Sequence, residues 1–137
     1  MNPSSHFDFS DADFLNDFSN CTFPPTLFTH EAHLRLAWIL LKKFDAEKAG
    51  EKLCELIQRF DQKFGDGTKY HCTITMAAAQ IVNHFMDKKN ETFHDFIHAN
   101  PRLMTHFKDL ILAHYTDDVF TNQDAAKAYH SPAVPFA

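Results

Sequence analysis

Apolar residues along this chain recur at three- and four-residue steps, the period of an amphipathic helix, with few alternating runs. Phe14, Leu15 and Phe18, following Asp11 and Asp13, predict a short helix capped by Ser10, its acids at the positive end of the helix dipole. Asn20 to Leu27 contains Pro24-Pro25 and has to be an extended connection. Thr29 reads as the N-cap of a second helix reaching about Phe44, with Glu31 in its first turn and Leu34, Ala37, Leu41 and Phe44 along one face. Asp45 caps a third, which runs through Leu53, Leu56, Ile57 and Phe60 to about Phe64 and stops at Gly65-Asp66-Gly67.

A fourth helix should begin between His71 and Thr73 and pass Ile74, Ala77, Ala78, Ile81 and Phe85 to about Asp87. Ile74 and Val82 are β-branched, so a strand from Tyr70 to Met76 is the competing reading there. After Lys88-Lys89-Asn90, a short helix fits Thr92 to Ala99. Asn100-Pro101 then reads as an N-cap with proline at the first helical position, leading through Leu103, Met104, Phe107, Leu110 and Ile111 to Tyr115. A last helix from Asn122 to Tyr129 is stopped by Ser131-Pro132. The expectation is a single compact all-α domain of about six or seven helices, with irregular tails over 1–9 and 131–137.

Composition sharpens this picture. A chain of 137 residues with 45% apolar and 23% charged positions suits one globular core. Its 15 phenylalanines outnumber its leucines, and only three glycines offer flexible joints. The formal charge of -5 supplies no basic excess for a nucleic-acid backbone or an anionic membrane surface, so neither partner is expected. The longest apolar run, Leu34 to Leu41, is broken by Arg35 and too short for a bilayer span; the N-terminus lacks a basic start and hydrophobic middle, so a cytoplasmic location is expected. Cys21, Cys54 and Cys72 are odd in number and widely spaced, which argues for reduced thiols.

Candidate chemistry concentrates at two helix starts. His30 and His33 are three residues apart, about 300° of rotation, and so neighbour one another on a face. His71, at another helix start, could join them in a three-nitrogen site with room for water, suited to zinc, iron, nickel or manganese. The competing reading satisfies these rings by hydrogen bonds to Thr29, Thr73, Thr75 or exposed backbone NH groups. Between the two lies a solvent-lined pocket in which a neutral imidazole is the base, Thr73 and Thr75 donate hydrogen bonds and Arg35 clamps an anion, or Arg35 is simply salt-bridged. Trp38 fits core or pocket wall. His94 and His98 share a ligand spacing but flank an apolar face toward solvent, while Cys54 reads as inert and Cys72 as a poor nucleophile.

Three segments, Phe28 to Trp38, Tyr70 to Thr75 and Asn100 to Leu103, resemble a family of small uncharacterised bacterial proteins. That family carries Phe-x-His-x-x-His-Leu-Arg-x-Ala-Trp, then Tyr-His-x-Thr-Ile-Thr, then Asn-Pro-x-Leu. The likeness spans about Phe14 to Tyr129. Cys72 stands where several such proteins have an acid, and Ala126-Lys127 and Pro132-Ala133 stand where they have Ala-Arg and Pro-Asp. The resemblance implies a helical domain and points to His30, His33, Arg35, Trp38, Tyr70, His71, Thr73 and Thr75; it implies no activity.

The sequence therefore leads to a small helical protein with a histidine-lined polar pocket for a small molecule or a metal ion. A metal-dependent enzyme using activated water is the sharper version. The alternatives are a non-catalytic interaction module or homodimer with structural histidines, and a pH-responsive element built on ten imidazoles.

Overall fold

The computed structural model describes residues 3–67, 70–86 and 91–136. Lys69, Asp87, the Lys88-Lys89-Asn90 connection and the extreme ends of both tails lie outside the described residues, and the fourth helix, expected to reach about Asp87, ends at Phe85. Eight α-helices and no strand occur among those described: α1 (Asp11–Ser19), α2 (His30–Leu41), α3 (Ala46–Phe64), α4 (Cys72–Phe85), α5 (Phe93–Ala99), α6 (Arg102–Thr105), α7 (Phe107–Leu112) and α8 (Gln123–Lys127). Short 3-10 turns cover His6–Asp8, Pro25–Leu27 and Asp117–Phe120.

Local chemistry sets the helix starts. The side chains of Ser10, Thr29 and Asp45 accept a backbone N–H of the first turn as expected, and those of Thr92 and Asn122 do the same. Asn100, expected to cap the next helix, does not, because its Nδ2 donates to the Phe96 carbonyl and Pro101 takes the position before α6. Tyr70 to Met76 is helical from Cys72 onward, because His71 supplies a cap and the Ala77-Ala78-Ala79 run packs closely behind it. The second helix ends at Leu41, three residues before Phe44, in a turn at Lys42-Lys43.

The long helix expected from Asn100 to Tyr115 is instead two short ones. His106 leaves helical geometry at φ -134 and ψ 31, and the adjoining Thr105 hydroxyl contacts His106 Nδ1 at 2.6 Å and the Pro101 carbonyl at 3.2 Å. Thr105 thereby offers the backbone a local alternative to the helical ladder.

Helices α2, α3 and α4 pack on one another as the centre of the fold; α1 lies against α2 and α3, and α7 and α8 lie against α4. From Leu34 to Leu41 every residue of α2 is buried, so this helix has no solvent face over that stretch. The phenylalanine excess is spent here. Phe18 stacks on Phe60 at 4.4 Å between centroids and tilts against Phe28 at 4.7 Å, while Phe14 meets Phe23 at 4.8 Å. These rings join α1, α3 and the Pro25–Leu27 connection into one aromatic core.

The N-terminal segment is ordered where an irregular tail was expected. Ser5 and Asp8 form a reciprocal cap, and His6 is buried. Arg35 holds this segment from inside: Nη1 donates to the His6 carbonyl at 2.5 Å, Nη2 to the Phe9 carbonyl at 2.8 Å, and Nε and Nη2 both to Asp11 Oδ1. A buried guanidinium needs such a set of acceptors to offset its lost hydration. At the other end, residues 131–136 are irregular yet docked, with Phe136 stacked on His114 at 3.9 Å.

Candidate functional site

The first turn of α2 aims its two histidines at different surroundings. His30 is exposed, donates from Nε2 to the Leu103 carbonyl at 2.9 Å and meets the edge of Phe107. His33 stacks on Phe28 at 5.5 Å, and its Nε2 is buried with no hydrogen-bond partner among the described residues. Burial, reinforced by the nearby His30, holds the His33 pKa down at about 4. The ring is neutral at pH 7 and still has hydrogen-bonding capacity to satisfy.

His33 forms part of the wall of a cleft of about 280 Å3 between the Pro25–Leu27 turn, α2, α3 and the segment entering α4. Pro25, Phe28, Ile57, Phe60 and Phe64 give it an aromatic and apolar lining, and His33, Asp61 and Tyr70 supply the polar groups. Asp61 is buried on the inner face of α3. Its Oδ2 accepts the Tyr70 backbone N–H at 2.9 Å, which ties the approach to α4 down onto α3. Burial also raises the Tyr70 hydroxyl pKa, with contributions from the Cys54 and Cys72 thiols beside it, so the phenol stays protonated.

His71 works differently. Its Nδ1 accepts the Ile74 N–H at 3.1 Å as the cap of α4, and its Nε2 donates to the Val119 carbonyl at 2.8 Å. These partners fix the neutral tautomer with the proton on Nε2 and engage both ring nitrogens. Thr75 Oγ1 donates to the His71 carbonyl at 2.6 Å. Thr73, fully buried, donates from Oγ1 to the Ala125 carbonyl at 2.8 Å, with the Ala128 carbonyl also in reach, and accepts the His130 N–H. The Tyr-His-x-Thr-Ile-Thr segment therefore fastens the C-terminal region onto α4.

Of the eight residues singled out in the sequence, His33 and Tyr70 meet in the cleft and His30 is close enough to bias His33. His71 and Thr73 turn to the C-terminal segment, Thr75 bonds back to the His71 carbonyl within the start of α4, and Arg35 turns to the N-terminal segment. Trp38 is buried, with Phe93 edge-on at 5.8 Å and Lys42 Nζ over its ring at 4.4 Å. His30, His33 and His71 are not gathered on one point, and no group of three His, Cys, Asp or Glu side chains placed to hold a metal ion occurs among the described residues.

The sequence reading missed Asp61, Phe60, Phe64 and Pro25 as cleft residues. A signal for Asp61 existed, since it adjoins the apolar stripe of Ile57, Phe60 and Phe64 on α3. The others carry core-like signals that do not distinguish a cleft wall from a filled interior.

No helix of the described residues is long and apolar enough to cross a membrane. Set against protein-family models, curated proteins and solved structures, the chain matches none.

Proposed function

We propose that this protein binds a small, neutral, ring-bearing molecule with one hydrogen-bonding group in the cleft at His33. The observation that carries the reading is that His33, whose buried Nε2 has no hydrogen-bond partner among the described residues, is one of the few polar residues lining a largely aromatic hollow. An unsatisfied buried polar atom costs about 1–3 kcal/mol, and a ligand that pairs with the imidazole recovers part of that cost. The aromatic lining favours a flat apolar body. The neutral His33 ring offers no positive charge to hold an anion.

The low basicity of His33 argues for binding over proton transfer. A ring with a pKa of about 4 is a weak base at neutral pH, well below the range in which general-base catalysis is efficient. The same neutral ring is a steady hydrogen-bond partner.

Phenol is a suitable probe and benzoate its charged counterpart. Calorimetric titration is expected to show saturable phenol binding with a dissociation constant on the order of 1 mM, benzoate at least about tenfold weaker, and about tenfold loss of phenol affinity in His33→Phe. No saturation by about 10 mM phenol, or unchanged affinity in His33→Phe, overturns the reading.

A further inference from the structure

We propose that Cys54, Cys72 and Met76 form a site for a soft monovalent cation, Cu(I) in its chemistry, in the groove between α3 and α4. All three line one groove with Glu47, Glu51 and Gln80 on a side of the molecule served by a cavity separate from the His33 cleft. Cys54 Sγ donates to the Cys72 carbonyl at 3.8 Å, and the two thiols and the Tyr70 hydroxyl interact as one cluster.

The helix register brings in the third sulfur. Gly50 and Cys54 are one turn apart on α3; Cys72 and Met76 are one turn apart on α4. Gly50 faces Met76, so closely that a Cβ at position 50 would come within 2.9 Å of Met76 Sδ, and Cys54 faces Cys72. The two helices thus set these four positions in a two-by-two patch with glycine making room for the thioether. Helical side chains lean toward their own N-terminus, which inclines the flexible Met76 chain toward the Cys72 turn.

The donor set selects the ion. Two thiols and a thioether are soft ligands suited to Cu(I), whereas zinc takes thiolate, imidazole or carboxylate and does not use a thioether. Glu47 and Glu51 place carboxylates in the same groove, favouring a cation, and Cys72 is partly exposed, so the ion can enter. On binding, both thiols lose their protons to solvent, two sulfur–metal bonds form from the thiolates and one from Met76, and no electron is transferred.

The test is an anaerobic titration of the reduced full-length chain with Cu(I) and, as a redox-inert probe, Ag(I), against a chromophoric competitor. Expected are one equivalent bound with thiolate-to-metal absorbance, about 100-fold weaker binding in Cys54→Ser and in Cys72→Ser, about tenfold weaker binding in Met76→Leu, and no change in Cys21→Ser. Circular dichroism of each variant verifies folding, and the partly exposed Cys72 provides a substitution that spares the core. Unchanged affinity in Cys72→Ser or Met76→Leu, Zn(II) binding tighter than Ag(I), or a Cys54–Cys72 disulfide with no saturable uptake by the reduced chain overturns the proposal.

Discussion

His71 Nε2 donates to the carbonyl of Val119, 48 residues further along the chain, at 2.8 Å, while its other nitrogen caps α4. One imidazole thus starts a helix and anchors the C-terminal third to it. His71→Ala removes both bonds and leaves the Val119 carbonyl and the Ile74 N–H to find water. A loss of about 2–3 kcal/mol in urea unfolding is expected. His71→Asn keeps a capping side chain but is too short to span to Val119, so about 1 kcal/mol should return. Equal stability of the Ala and Asn variants would contradict the dual role.

Arg35 holds the N-terminal segment through two carbonyls and Asp11, and its neighbour His6 lies 2.7 Å from Glu31 Oε1 and 3.3 Å from Arg35 Nη1. Arg35→Met keeps the length and the packing but removes every donor. Hydrogen exchange is expected to accelerate over residues 5–11 while α3 and α4 remain protected, with a global cost of about 2–4 kcal/mol. Uniform acceleration across the chain would show that the segment is not a separable unit.

Two histidines make stability depend on acid. Burial lowers the His6 pKa despite the opposing pull of Glu31, and it lowers His33 to about 4. Both rings are neutral in the folded chain where an unfolded chain would bind protons. Stability is therefore full above about pH 6.5 and declines as pH falls toward 4, the His33 share being at most on the order of 3 kcal/mol. Urea midpoints measured from pH 7.5 to 4 should fall less steeply in His33→Phe than in the wild type; parallel slopes would contradict the assignment of burial to His33.

Phe18 and Phe60 stack at 4.4 Å where α1 meets α3, both buried. Phe18→Ala opens a hole bordered by Phe23, Phe28 and Phe60, and a loss of about 3–5 kcal/mol is expected in chemical denaturation. Phe18→Leu should cost less than half of that. A cost near zero for Phe18→Ala would mean that the aromatic cluster collapses to fill the space.

The caps at Ser10, Thr29 and Asp45 were legible in the sequence because a cap is a local event, each bonding within three residues of itself; Asn100 was misread, since its amide turns back to the Phe96 carbonyl. The break at His106 was not legible, since it turns on backbone geometry and a Thr105 contact that leave no periodic trace. The motif histidines were legible as polar groups at helix mouths. Their partners were not, because Leu103 and Val119 contribute only carbonyl oxygens, which every residue type possesses. Arg35 shows the same limit: its acceptors at His6 and Phe9 are backbone atoms. The cleft escaped notice because aromatic side chains that line a hollow carry the same pattern as those that fill a core.

If His33, with its partnerless Nε2, belongs to a ligand site, its ring must respond when that site fills. Each imidazole is followed by NMR while phenol is added to the wild-type chain. Saturable shifts are expected for the His33 ring and for Phe28 and Phe60, with the His71 ring unmoved in its hold on Val119. Saturable shifts confined to other residues, with His33 silent, would contradict a ligand site at His33.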